Sequence, residues 1–550
     1  MWLLGKGGVK FSMKTLQHVG HASTKWTLNG VALKKERGGK IMTTSSMIWI
    51  MIAIAVYLLL MIFIGAMFMR KNNNSEDYFL GGRSLNGFVA ALSAGASDMS
   101  GWMLMGLPGS IYAMGTGQVW IGIGLTLGTI ANWLFIAGPL RKYTIHANNS
   151  LTLPEFFVNR YRDDKKILLG VSSAVIVLFF VVYTASAFAS GGKLFNSVFG
   201  VDYHLALIIV AVVILVYTFM GGFLAVCTTD FIQGLLMLVA VLAVPLIAFV
   251  IMGPSNFGAN LASTGVDSAT FLNPIMENGT NISAVSIISS LAWGLGYFGM
   301  PHILVRFMAI KDKQELKKSK SIAIIWVVLG LGFACFIGVL GRAYLAASEG
   351  VLEDSEKVFI EMIKKVFTQD MNVALLAGLF IAAILAAIMS TADSQLLVAS
   401  SAVSEDIYKG IVRKDADETK VLNIGRLATI VVAVIALVIA WNPNSSVMKL
   451  VSDAWAGFGA AFGPLVLCSR FWRRTNFYGA FAGIITGALT IIIWDYIPLM
   501  AGETIGTVTG LYSLAPGFFV SLIAIVIASL CTKAPSDEIT KEFDEVKAEG

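Results

Sequence analysis

Apolar residues in this chain fall into long runs separated by short polar stretches, without the two-residue alternation of a half-buried strand. Runs of about 20 residues match the length an α-helix needs to cross a hydrocarbon core of roughly 30 Å. About thirteen spans are predicted, at 48–69, 86–114, 118–140, 167–190, 204–222, 230–252, 281–309, 321–345, 376–404, 423–441, 447–469, 476–499 and 510–531. The alternation of a transmembrane barrel is absent, so the expected class is an all-α integral membrane protein. Composition agrees: 56% of residues are hydrophobic and only 13% charged, far from the balance of a soluble domain.

Lys and Arg cluster after alternate spans, which fixes an expected orientation because short basic loops stay on the cytoplasmic side. One set comprises Arg70, Lys71, Arg83, Arg141, Lys142, Arg160, Arg162, Lys165 and Lys166, then Lys311 to Lys320, Lys409 to Lys414, and Arg470 to Arg474. The opposite side is poor in bases: 253–280 carries Asp267 and Glu277 with no Lys or Arg, and the stretch near 346–370 is rich in acids. The N-terminus is then expected outside and the C-terminus inside the cytoplasmic membrane. Residues 1–41 contradict this, with eight bases against the single acid Glu36 on the external side. They also lack the apolar core and cleavage site of a secretory signal. They are read as an upstream extension, with translation expected to begin at Met42 or Met47. Without them the formal charge moves from +6 to about −1, so the basic balance carries no functional meaning.

The candidate chemistry begins with Asp98, the only charged residue between Arg83 and Arg141, set in Ala94-Gly-Ala-Ser-Asp-Met-Ser-Gly-Trp102. An intramembrane carboxylate costs roughly 2.5–3.5 kcal/mol on insertion scales and calls for a partner, a polar cavity or an ion. The surrounding Gly, Ala and Ser weaken helical continuity and release backbone carbonyls for ligand bonding. A second break falls at Trp293-Gly-Leu-Gly-Tyr-Phe-Gly-Met-Pro301. The second break comes five spans after the first, in the seventh span against the second, so the broken segments enter from opposite sides. That is the signature of inverted repeats whose discontinuous helices meet near the midplane. Residues 86–252 and 281–470 are the expected repeats. Residues 42–85 and 471–532 are then peripheral and 533–550 a cytoplasmic tail.

In the ninth span Ala387, Ser390 and Thr391 share one helix face, offering a close approach to a carbonyl and two neutral hydroxyls. If that face meets the break at Ala96 and Met99, such oxygens favour sodium over proton coupling, unless Asp98 or Asp393 is the proton carrier. Each feature alone also fits helix packing; their joint occurrence points to transport. Cys227, Cys335, Cys468 and Cys531 are scattered, and the five histidines show no metal spacing. The set of nucleophile, acid and base that a membrane enzyme needs is not found. The tail after Thr532 is too short for a sensor's kinase domain, and no nucleic-acid partner is expected.

The strings Leu80-Gly-Gly-Arg-Ser84, Ala91 to Trp102, Leu151-Thr-Leu-Pro154, Gly221-Gly-Phe-Leu-Ala225, Trp293 to His302 and Ala454 to Pro464 together resemble the sodium/solute symporter family, and closely its proline-carrying members. The resemblance runs from about Met47 to Ser536. It implies a LeuT-like core of two five-span inverted repeats and sodium-coupled uptake of L-proline. Pantothenate, a sugar or a short monocarboxylate are the alternative solutes. By the same resemblance, Ala96, Met99, Ala387, Ser390 and Thr391 hold sodium, and Asp98 and Asp230 are coupling acids. Tyr183, Trp293, Tyr297 and Pro301 are implied in proline binding. Asp393 departs from the family pattern, where a neutral residue stands.

Overall fold

Inside a bilayer each backbone N–H and C=O must be bonded within its own segment, so the apolar runs fold as helices. The computed structural model describes residues 42–69, 75–220, 222–346, 348, 350–499 and 502–548; the extension expected at 1–41 lies outside the described residues, as do Arg70 and Lys71. The helices that matter here are α1 (Thr44–Met69), α2 (Gly87–Asp98), α3 (Leu107–Met114), α4 (Thr116–His146), α5 (Leu153–Tyr161) and α6 (Ile167–Phe199). They continue with α7 (Tyr203–Met220), α8 (Phe223–Met252), α9 (Ala284–Ala292), α10 (Pro301–Ala309), α11 (Lys313–Leu345) and α12 (Ala374–Val412). The chain closes with α13 (Glu418–Ile439), α14 (Val447–Phe471), α15 (Phe477–Tyr496), α16 (Leu514–Cys531) and α17 (Asp537–Ala548).

Among the described residues ten helices are long and apolar enough to cross a membrane, or eleven if α9 and α10, bent by 46° across their break, form one span. The remaining two of the thirteen expected spans fall on the interrupted pair α2–α3 and on α7. Burial separates centre from rim. The apolar window of α12 is 83% buried and that of α14 78%, against 22% for α1. The helix carrying the expected hydroxyl pair is therefore the central pillar.

Small residues set how closely the helices approach. A Cβ at Gly378 of α12 would lie 2.6 Å from the Ala53 side chain and 2.8 Å from the Ile50 backbone of α1. Across the membrane-spanning bundle, bases distant in sequence gather on one face. Arg83 donates to the Met308 and Ser150 carbonyls at 2.7 and 2.8 Å, and Arg141 to that of Ile310 at 2.5 Å. Asp312 caps α11, accepting from the amides of Gln314 and Glu315; the Glu315 amide, followed by that of Gln314, holds its carboxyl below the usual carboxylate range. On the opposite face strands β1 (Met276–Glu277) and β2 (Thr280–Asn281) pair antiparallel, with Met276 opposite Asn281. Asn278 and Gly279 form their turn, both at positive φ.

Candidate functional site

The end of α2 explains why its carbonyls are available. The last four carbonyls of a helix lack intrahelical donors, and here the Ser100 amide turns back to the Asp98 carbonyl at 3.0 Å instead of continuing the ladder to Ala96. The Ala96 oxygen is taken instead by Ser390 Oγ, at 2.8 Å, and by Thr391 Oγ1, at 3.4 Å. Both hydroxyls also reach the Ala387 carbonyl, at 3.3 and 3.1 Å. Four of the five residues expected around an ion thus meet at one buried junction. Met99, the fifth, caps α2 beside it, its amide bonded to the Gly95 carbonyl at 2.9 Å.

Two residues on, Asp98 is 2% exposed and ties three elements together. Its Oδ2 accepts from the Tyr297 hydroxyl at 2.5 Å. Its carbonyl accepts from Trp102 Nε1 at 3.2 Å and from the Tyr183 hydroxyl of α6 at 3.4 Å. The second break is a 3₁₀ segment, Trp293–Gly299, followed by extended Met300 and then α10 with Pro301 at its start. That tight winding swings Tyr297 toward the first break. The acid on one discontinuous helix and the phenol on the other are in direct contact, as the sequence pattern anticipates.

Tyr183, Trp293 and Tyr297 belong to a larger set of rings. Trp293 stacks on Tyr512 at 5.0 Å and lies 6.4 Å from Trp102. Tyr297 meets Trp455 edge-on at 5.0 Å, and Trp455 Nε1 donates to the Trp293 carbonyl at 2.7 Å. Sequence reasoning missed Trp102, Trp455 and Tyr512. Trp455 stands in the Ala454 to Pro464 string, whose aromatic among small residues was a usable signal. Tyr512 precedes the last apolar run, where nothing local marks it. Pro301, at the start of α10, borders a cavity with Thr152, Arg306 and Asp406 that none of these rings lines.

Asp230 lies one helical turn from the junction. Its Oδ2 accepts from Ser93 Oγ at 2.7 Å and pairs with Arg306 at 3.1 Å. Arg306 also donates to Ser93 Oγ (3.1 Å), Ser394 Oγ (2.5 Å) and the His302 carbonyl (2.6 Å). Ser93 is three residues before Ala96, and Ser394 three after Thr391. The ion pair therefore bridges the same two helices as the junction. Arg306 is a functional candidate the sequence reading did not single out. Asp393 is fully buried, its Oδ1 3.4 Å from Ser394 Oγ.

Two discontinuous helices crossing at a buried acid, around a central small-residue helix, define a secondary transporter of the membrane. The chain belongs to the sodium:solute symporter family, whose model matches residues 78–487. A sodium/proline symporter of Staphylococcus aureus is 45% identical over 500 residues, covering 90% of this chain and 95% of that protein. Its counterpart in strain JH9 is 46% identical over 501 residues, with the same coverage. A solved structure described as the substrate-bound outward-open state of a Na+-coupled sialic acid symporter superposes with a TM-score of 0.71 at 20% identity, over 89% of this chain and 99% of that one. That likeness concerns the fold, which is the LeuT-like architecture the two breaks led us to expect.

Proposed function

We propose that this protein carries L-proline into the cell together with sodium, by alternating access across the cytoplasmic membrane, with its N-terminus outside and its C-terminus inside. The observation that carries the coupling is the meeting of Ser390 and Thr391 with the released Ala96 carbonyl, at 2.8 and 3.4 Å. Those oxygens, with the carbonyls of Ala387 and Met99, replace the hydration shell of one sodium ion. A bound sodium then fastens the broken α2 to α12 and favours the outward-open arrangement. The substrate assignment is supported by the names of the Staphylococcus aureus relatives, which match nearly their whole length to this chain.

Proline is a small zwitterion with an apolar ring. Tyr183, Trp293 and Tyr297 supply aromatic faces for its ring and secondary ammonium, and unpaired amides at the breaks meet its carboxylate. Asp98 and Asp230 act as the coupling acids. Exclusion of larger amino acids is steric, whereas a missing methylene is worth only about 1–3 kcal/mol, so smaller ones are rejected less firmly. One sodium entering across about 100 mV gains roughly 2.3 kcal/mol, and a tenfold gradient adds about 1.4. Together these support accumulation of several hundred-fold. By linkage, sodium raises proline affinity by the same factor as proline raises that of sodium.

The test is uptake of labelled proline into proteoliposomes. Replacing sodium by choline abolishes accumulation. The variant Ser390→Ala/Thr391→Ala raises the sodium concentration for half-maximal uptake by about tenfold or more, with a smaller effect on the saturated rate. Uptake indifferent to sodium, or a variant with unchanged sodium dependence, refutes the assignment.

A further inference from the structure

The last helix, α17, follows α16 after the connecting residues 532–536 and lies against the face where the bases gather. It is amphipathic. Ile539, Phe543 and Val546 are 6%, 4% and 2% exposed, whereas Lys541, Glu545 and Lys547 face water. Acids along its edge meet bases of other elements. Arg162, just past α5, reaches Glu538 and Glu542 at 3.1 and 2.6 Å, and Arg473, between α14 and α15, reaches Asp544 at 2.8 Å. Phe543 makes a third tie. The guanidinium of Arg160 in α5, 1% exposed, lies 5.0 Å from the ring centre of Tyr143 in α4, 5.1 Å from that of Tyr161 and 5.6 Å from that of Phe543.

These ties cross a seam in the bundle. On one side α4 is fastened to the second break: a Cβ at Gly128 would lie 2.2 Å from the Gly294 carbonyl oxygen, and Asn132 Nδ2 donates to the Tyr297 carbonyl at 2.9 Å. On the other side α5 is fastened to the central helices. Thr152, which caps it, donates to Asp406 of α12 at 2.7 Å, and the Tyr161 hydroxyl bonds that of Ser469 in α14 at 2.7 Å. Alternating access moves one part of the bundle against the other, so the two sides of this seam must shift.

The seating of α17 is weak enough to reverse. A helix of twelve residues is marginal alone in water. Glu538 and Asp544 are 72% and 51% exposed, so their ion pairs contribute little. Covering Arg160 also removes from water a guanidinium whose three nitrogens have no hydrogen-bond acceptor among the described residues.

We propose that α17 is a reversible clasp. Seated, it ties α4 to α5 and to the α14–α15 connection and holds the basic face closed; unseated, it frees that face to open. The inference rests on the alternating-access reading and holds whichever ion or solute is carried.

The experiment reads the opening of this face directly. Val398 of α12 borders the cavity with Thr152 and Asp406. The parent is the full chain with Val398→Cys and without the four native cysteines, held in lipid nanodiscs so that both faces are accessible to a maleimide. Glu538→Arg/Glu542→Arg unseats α17, and the labelling rate rises about threefold or more as the open population grows. Adding Arg162→Glu exchanges the charges and returns the rate to that of the parent. Phe543→Ser, which leaves the ion pairs in place, also raises it, whereas Lys541→Ala on the exposed side does not. Parent-like labelling in both unseated variants overturns the clasp, as does a charge exchange that fails to restore the rate. The parent's own labelling, with and without sodium and proline, tests the alternating-access reading separately: a rate indifferent to both ligands removes that reading.

Discussion

At the scale of single residues, the chemistry turns on oxygen atoms released from their ordinary partners. Ala96 has an available carbonyl because the Ser100 amide bonds Asp98 instead. Ser390 and Thr391 find it because they project from α12 one position apart on the facing surface. Asp98 is oriented by a single short bond from Tyr297. A hydrogen bond to a charged group contributes about 1.5–3 kcal/mol. Tyr297→Phe keeps the ring against Trp455 but deletes that bond. The variant should weaken apparent sodium and proline affinity by roughly 10- to 100-fold, read from uptake kinetics at several sodium concentrations. Arg306 follows a different rule. A buried ion pair costs desolvation, and it is retained here where it joins Ser93, Asp230 and Ser394 across two helices.

At the scale of elements, the two interruptions are held open by packing that leaves no room for side chains. A Cβ added at Gly296 would stand 2.0 Å from Trp455 Nε1, the atom that donates to the Trp293 carbonyl. Gly332 in α11, by contrast, has open space around it. Gly296→Ala should lower the thermal unfolding midpoint in detergent and suppress uptake, since overpacking of this kind costs about 1–3 kcal/mol. Gly332→Ala should leave both unchanged. Equal behaviour of the two variants would show that the 3₁₀ segment tolerates a shift away from α14. The elements also explain why the last two spans are not idle scaffolding: the turn before α16 delivers Tyr512 onto Trp293.

At the scale of the whole molecule, bases scattered through the chain converge on one face, where Arg83 and Arg141 grip the carbonyls at the end of α10. That arrangement supports the proposed orientation, with this face toward the cytoplasm. A cysteine introduced at Ala269, in a background without the four native cysteines, should react with an impermeant maleimide in intact cells. One at Lys414 should react only after permeabilisation. The reverse pattern would invert the topology and the direction of coupling assigned here.

The sequence by itself determined the class of the protein, because a run long enough to cross lipid can satisfy its backbone only as a helix. It also marked both breaks, since small residues that alone fit helix packing stand beside a lone acid in one run and before a proline in the other, and it flagged Asp98, because a lone acid there is costly. What only the tertiary structure decided is which oxygens meet. The approach of α12 to Ala96, the pairing of Arg306 with Asp230 and the reach of Tyr512 to Trp293 join residues tens to hundreds of positions apart. Nothing local encodes such contacts: a hydroxyl on an apolar helix reads the same whether it faces a neighbouring helix or an ion. Only the close packing of glycine-lined backbones brings those oxygens within bonding distance.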